Sequence, residues 1–222
     1  MEFNLVQTIA IYALPVIFAI TLHEAAHGYV ARHFGDKTAF MLGRISLNPM
    51  RHIDWVGTIV VPLVILVASK LFGGPAALFG WAKPVPVNFH ALRRPKRDML
   101  WVAAAGPAAN LLMALGWALL LKVVQLLPPG MYSLPLGLMA EAGITVNIVL
   151  MLLNLLPILP LDGGRIAVSL LPDRLALGYA RLEPFGFPIL LLLIFLPPHL
   201  LGAIMMPMVQ ASIGVIETLF RL

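Results

Sequence analysis

Cysteine is absent from the sequence. That excludes disulfide cross-links and thiolate metal sites, and it leaves histidine and the carboxylates as the strong metal ligands. Charge is also scarce. Lysine, arginine, aspartate and glutamate make up 11% of the residues, against roughly 25% in a soluble globular domain. Such a chain lacks the polar surface needed to coat a water-facing body. No basic run is interleaved with aromatics as in a single-strand-binding groove, so nucleic acid is not an expected partner. The net charge of +5 instead fits a membrane protein whose cytoplasmic loops carry excess lysine and arginine. No internal repeat, low-complexity tail or stretch able to hold an added soluble domain is visible. The first segment has neither a basic start nor a small-residue cleavage site, so it is expected to be retained.

What the chain does contain is apolar runs near the roughly 20 residues that cross a bilayer. Segment one covers about residues 3–34 and holds His23-Glu24-Ala25-Ala26-His27. Residues 35–54 are more polar, and 40–47 alternate loosely enough to predict a short hairpin. Segment two, about 55–72, is broken by Pro62 and closed by Gly73-Gly74-Pro75. Lys83-Pro84-Val85-Pro86-Val87-Asn88 follows, whose spaced prolines exclude a helix and fit an extended edge strand. Segment three covers about 99–127, and segment four about 141–156 before Pro157, Pro160 and Asp162-Gly163-Gly164. Two weaker spans lie at about 185–196 and 200–220.

Loop charge orients these spans. Arg32, Lys37, Arg44 and Arg51 follow segment one, Arg93 to Arg97 precede segment three, and Arg165, Arg174 and Arg181 follow segment four. The exit of segment three, residues 128–140, has no lysine or arginine. The basic sets are expected on the cytoplasmic side. Segment two must then enter and leave on one side, as a re-entrant element packed against protein. Segments one and four run in the same direction, which sets His23, His27 and Asp162 at one depth.

The expected architecture is an all-α polytopic membrane protein. It has about five transmembrane helices, a re-entrant element and a small membrane-associated β-hairpin and edge strand. Residues 1–222 form one integral-membrane domain, with a metal-binding core of about 3–34, 99–127 and 141–171 and C-terminal helices in 185–222.

The chemistry starts from His23 and His27. Four residues apart on a helix, they share one face, with Glu24 beside them. The H-E-x-x-H pattern supplies two nitrogen ligands and a general base. From this chain's histidine and glutamate content, about 0.004 such patterns would arise by chance. Three ionisable groups within five residues of a membrane helix are costly without a partner or a task. The competing reading is a helix end with hydrated histidines.

A catalytic zinc needs a third protein ligand and an open position. Glu2 is terminal, and Asp36, Asp54, Asp98, Asp173 and Glu183 fall in loops. Glu141 starts segment four on the far side, and Glu217 lies near the chain end. Asp162 alone follows an apolar span at the matching depth. Pro157 and Pro160 stop the helix before it, while Gly163 and Gly164 let the backbone turn. Taken alone, Asp162 is equally a helix cap pairing with Arg165.

Together these motifs resemble the site-2 protease family of intramembrane zinc metalloproteases, in its compact branch without PDZ or CBS domains. The matching stretches are residues 23–27, Asn154-Leu155-Leu156-Pro157-Ile158-Leu159-Pro160-Leu161-Asp162-Gly163, Gly106-Pro107-Ala108-Ala109-Asn110 and residues 80–88. The resemblance covers about 15–170. It implies one Zn2+ on His23, His27 and Asp162, with Glu24 as base and Asn154 and Asn110 positioning substrate or stabilising an oxyanion. The implied substrates are transmembrane protein segments in the lipid bilayer. An unwound stretch of substrate would be held by strand addition at Val85, Val87 and Asn88. The site would face the cytoplasm, in the cell membrane.

Other readings compete. A prenyl-protein-processing type of membrane metallopeptidase would take its third ligand from Glu183 or Glu217. A metal-ion transporter should show ligands on several spans and a repeated half. A non-catalytic membrane scaffold would tolerate loss of Glu24.

Overall fold

The computed structural model describes residues 4–61, 64, 82–128, 130, 132–195 and 200–222. The first helix, α1 (Leu5–His33), begins at a reciprocal cap in which the Asn4 side chain accepts from the Gln7 N–H and the Gln7 side chain accepts from the Asn4 N–H. It ends where Gly35 takes a φ of +112°. The Gly35 and Asp36 N–H groups then turn back onto the carbonyls of Arg32 and Ala31, satisfying groups that a helix end leaves open.

The Asp36 carboxylate then accepts from the N–H groups of Thr38, at 2.9 Å, and Asn88, at 2.6 Å. This starts a single helical turn, α2 (Thr38–Met41). The hairpin expected over residues 40–47 does not form. The local donors are used within the turn, and no β-strand occurs among the described residues. Residues 82–88 likewise pair with no strand. Pro84 and Pro86 have no N–H to give, and Lys83, Val85 and Asn88 donate theirs to His52, Glu24 and Asp36. Of segment two, the structure describes a π-helical start, Trp55–Val60; the re-entrant turn expected beyond it lies outside the described residues.

The long helix α3 (Pro95–Leu126) starts on Pro95, with Asp98 accepting from the Arg94 N–H at 2.7 Å. Its 32 residues span about 48 Å, more than the roughly 30 Å apolar core of a bilayer. A short exit leads to α4 (Ser133–Asn154). Three shorter helices, α5 (Asp162–Leu170), α6 (Asp173–Ala180) and α7 (Glu183–Phe195), precede α8 (Leu200–Phe220).

Among the described residues, four helices, α1, α3, α4 and α8, are long and apolar enough to cross a membrane. A fifth span arises there if α6 and α7, bent by 62°, count as one. Large apolar side chains such as Leu112, Leu126, Val215 and Leu219 face outwards, in keeping with a hydrocarbon solvent. This is a membrane protein.

Side-chain meetings fix the relative directions. His23 reaches Asn110 while His27 reaches Val102, so α3 runs against α1. Asn110 bonds Asn147 while Trp117 lies against Gly143, so α4 runs against α3. Helices α1 and α4 are therefore parallel, and the end of α4 delivers Asp162 to the level of the histidines. An apolar cluster of Ala114, Ala118, Ala140, Ile144, Met205 and Val209 joins α3, α4 and α8 away from that level.

Candidate metal centre

Three helices converge on one point. The Nε2 atoms of His23 and His27 lie 3.1 Å apart. Asp162 Oδ2 sits 3.2 Å from the first and 3.3 Å from the second. No fourth histidine or carboxylate among the described residues joins this group. Neither Glu183 nor Glu217 takes part, which removes the basis for the prenyl-processing alternative.

Local folding explains each placement. His23 and His27 project from one face of α1. Asp162 is the first residue of α5 and makes no capping bond to that helix; its carboxylate turns to the imidazoles instead. Gly163 and Gly164 do not serve conformational freedom here, since neither has a positive φ. They provide room: a Cβ on Gly163 would lie 2.2 Å from the Leu155 carbonyl oxygen, and one on Gly164 2.5 Å from the Leu159 nitrogen. The loop between α4 and α5 is thus pressed flat against α5. The Tyr179 hydroxyl donates to the Pro157 carbonyl on the same loop.

The far side of each imidazole fixes its protonation. His27 Nδ1 is 2.7 Å from the Val102 carbonyl, which can only accept, so this nitrogen carries the proton. His23 Nδ1 is 2.5 Å from Asn110 Oδ1, again an acceptor. A neutral imidazole protonated at Nδ1 presents a bare lone pair at Nε2. Two lone pairs and a carboxylate oxygen therefore face each other at about 3 Å, and buried Asp162 Oδ2 receives no hydrogen bond. With both Nε2 atoms bare, this arrangement is repulsive unless a cation sits among them.

A divalent ion resolves it. Tetrahedral zinc, with bonds of about 2.0–2.1 Å, places its ligand atoms roughly 3.3 Å apart. The observed triangle fits, and three protein ligands leave an open position. A Cβ on Gly106 would lie 2.4 Å from His27 Nε2 and 2.5 Å from His23 Nε2, so only glycine at this point of α3 leaves the ion room.

The remaining predicted residues are spread around this centre. Glu24 lies outside the triangle, and its Oε2 accepts from the Val85 N–H at 2.7 Å. Val87 packs with Ala31, Leu92 and Val102, while Asn88 is held by Asp36. Asn110 is wholly buried, with its amide shared among His23, Ala19 and Asn147. Asn154 donates to the Leu150 carbonyl on its own helix at 3.0 Å. Sequence reasoning missed Asn147, also wholly buried, and the spatial role of Gly106. An asparagine in the middle of an otherwise apolar span was the signal available for Asn147.

No protein-family model matches the chain, and neither does any solved structure. Among curated proteins, a Bacillus subtilis protein named "Putative zinc metalloprotease YwhC" is 38% identical over 213 residues, covering 93% of this chain and 89% of that protein. The chain belongs to this zinc metalloprotease family. Two mycobacterial proteins of like name, both called Rip2, are also similar. The Mycolicibacterium smegmatis protein is 29% identical over 183 residues, covering 82% of this chain and 65% of its own. The Mycobacterium tuberculosis H37Rv protein is 28% identical over 190 residues, with 84% and 66% covered. This protease uses zinc as its cofactor, and the converging lone pairs at His23, His27 and Asp162 are atoms suited to receive it.

Proposed function

We propose that the protease is an intramembrane zinc metalloendopeptidase of the site-2 type, cutting transmembrane segments of membrane proteins. In this reading His23, His27 and Asp162 hold one zinc ion, and Glu24 is the general base. The observation that carries it is the buried triangle of two imidazole nitrogens and a carboxylate oxygen, set among helices long enough to span a bilayer.

When bound, zinc supplies Lewis acidity, lowering the pKa of a water and polarising a peptide carbonyl. The chain's own groups do the rest. In the substrate-free chain Glu24 Oε2 accepts from the Val85 N–H; the released carboxylate takes the water's proton and returns it to the leaving amine nitrogen. A transmembrane helix has its amides bonded internally, and the substrate must unwind before attack. The unwound strand would pair along residues 85–88. A substrate carbonyl pairing with the Val85 N–H takes the place that Glu24 Oε2 now holds, so substrate entry and release of the base are one event. Asn154, whose Nδ2 donates one N–H to the Leu150 carbonyl, keeps its Oδ1 and second N–H for positioning substrate. In this reading the end of the bundle that holds the site faces the cytoplasm from the cell membrane, which the basic residues after α1 and before α3 support.

The test is Glu24→Gln, purified in detergent and reconstituted with a transmembrane substrate. The expected result is full zinc content with turnover reduced about 10²- to 10⁴-fold. Undiminished cleavage by Glu24→Gln would overturn the assignment.

A further inference from the structure

Behind His23 lies a chain of buried amides whose direction is fixed from its far end. The Gly143 carbonyl can only accept, so the Asn147 atom 2.8 Å from it is Nδ2. Asn147 therefore turns Oδ1 towards Asn110, and Asn110 Nδ2 donates to it at 3.0 Å. The Ala19 carbonyl, at a longer 3.3 Å from the same Nδ2, agrees with that orientation as a secondary contact. Asn110 must then present Oδ1 to His23, which meets it through a protonated Nδ1 at 2.5 Å. Both asparagines are 0% exposed, so no water competes for these positions.

We propose that Asn147, acting through Asn110, is a positioning residue of the zinc centre: the two amides form a one-way hydrogen-bond chain that holds His23 as its Nδ1–H tautomer and keeps the Nε2 lone pair turned to the ion. The inference rests on His23 being a ligand. Its physical content is that a backbone carbonyl of α4, three bonds away, selects the tautomer of a side chain on α1. The two histidines are held differently. His27 leans directly on the Val102 carbonyl, which no side-chain substitution removes. His23 depends on the Asn110 side chain, which Asn147 and, at a longer distance, the Ala19 carbonyl keep in place. Bonds in such a chain polarise one another, and the donor from His23 gains basicity at its other nitrogen.

The experiment uses the full-length protein in detergent with ¹⁵N-labelled histidine, compared without metal and with zinc. In the wild type, His23 should show a protonated Nδ1 in both states. Asn147→Leu should lose that bias and weaken zinc binding, measured by competition with a chelator, by about 10-fold or more. Asn147→Asp, kept protonated by burial, can donate its O–H to the Gly143 carbonyl and accept from Asn110, and should recover most of the affinity. If Asn147→Leu yields no folded protein, Asn147→Ser gives the same readout, its hydroxyl being too short to reach Asn110. An unchanged tautomer and unchanged zinc affinity, with only the metal-free stability lowered, would overturn the proposal and leave the pair as packing. His23→Ala separates the two layers: retained zinc there would overturn the ligand assignment itself, whereas lost zinc there beside normal zinc in the Asn147 variants would overturn only the relay.

Discussion

The two ends of the α3–α4 pair are built by different rules. Near the metal, α3 meets its neighbours through His23, His27, Asn110, Asn147 and the Val102 carbonyl. Further along, it meets α4 and α8 through alanines, Ile144, Met205 and Val209. Each end also contains one close glycine approach, Gly106 against the imidazoles and Gly143 against the Trp117 ring. Helices surrounded by lipid gain little from burying apolar surface, so the apolar end is held by close packing of small residues. Packing of that kind tolerates small shifts. The polar end does not, because its buried N–H groups are each matched to a particular acceptor. The apolar end brings the helices together, and the polar end sets their register.

Substitutions at the two ends should therefore separate metal binding from stability. The largest effect is expected for Asp162→Ala, which should abolish the single bound zinc by metal analysis and reduce cleavage to background while the bundle stays folded. Gly106→Ala comes next. It changes no ligand, yet its Cβ would fall 2.4 Å from His27 Nε2. It should impose about 1–3 kcal/mol of strain and show it as weakened zinc binding. Gly143→Ala carries a comparable clash, 2.3 Å to Trp117 Cδ2, but Trp117 is a side chain that can turn. Its cost should appear mainly as lower thermal stability, because the Gly143 carbonyl that anchors Asn147 is backbone and is kept. Val209→Ala on α8 should be the mildest, about 1–2 kcal/mol of stability with zinc content and turnover unchanged. Zinc loss in Gly143→Ala or Val209→Ala would show that the two ends are mechanically one.

Sequence patterns reported some of these features and were silent on others. Helices α1, α3, α4 and α8 were legible because long apolar runs have few alternatives in lipid. The meeting of residues 23 and 27 with residue 162 was legible from loop charge, since parallel first and fourth segments need no side-chain detail. The hairpin over residues 40–47 was misread. Its loose alternation carried no information about Asp36, whose carboxylate captures the Thr38 N–H and starts a helical turn instead. Gly163 and Gly164 were read as flexible joints, yet they are clearances for a loop that passes over them. Spacing reports which residues share a helix face, whereas clearances and tautomers depend on neighbours distant in sequence.

The antiparallel order of α1, α3 and α4 has a consequence for how the protein is made. Asp162 is synthesised 135 residues after His27, roughly 7 to 27 s later at ordinary elongation rates. During that interval the paired imidazoles have no carboxylate partner, and Gly106 must already be threaded beside them. A nascent chain released before its second long hairpin has inserted would carry the motif without the means to hold its ion, so proteolytic competence arrives only with a properly threaded bundle.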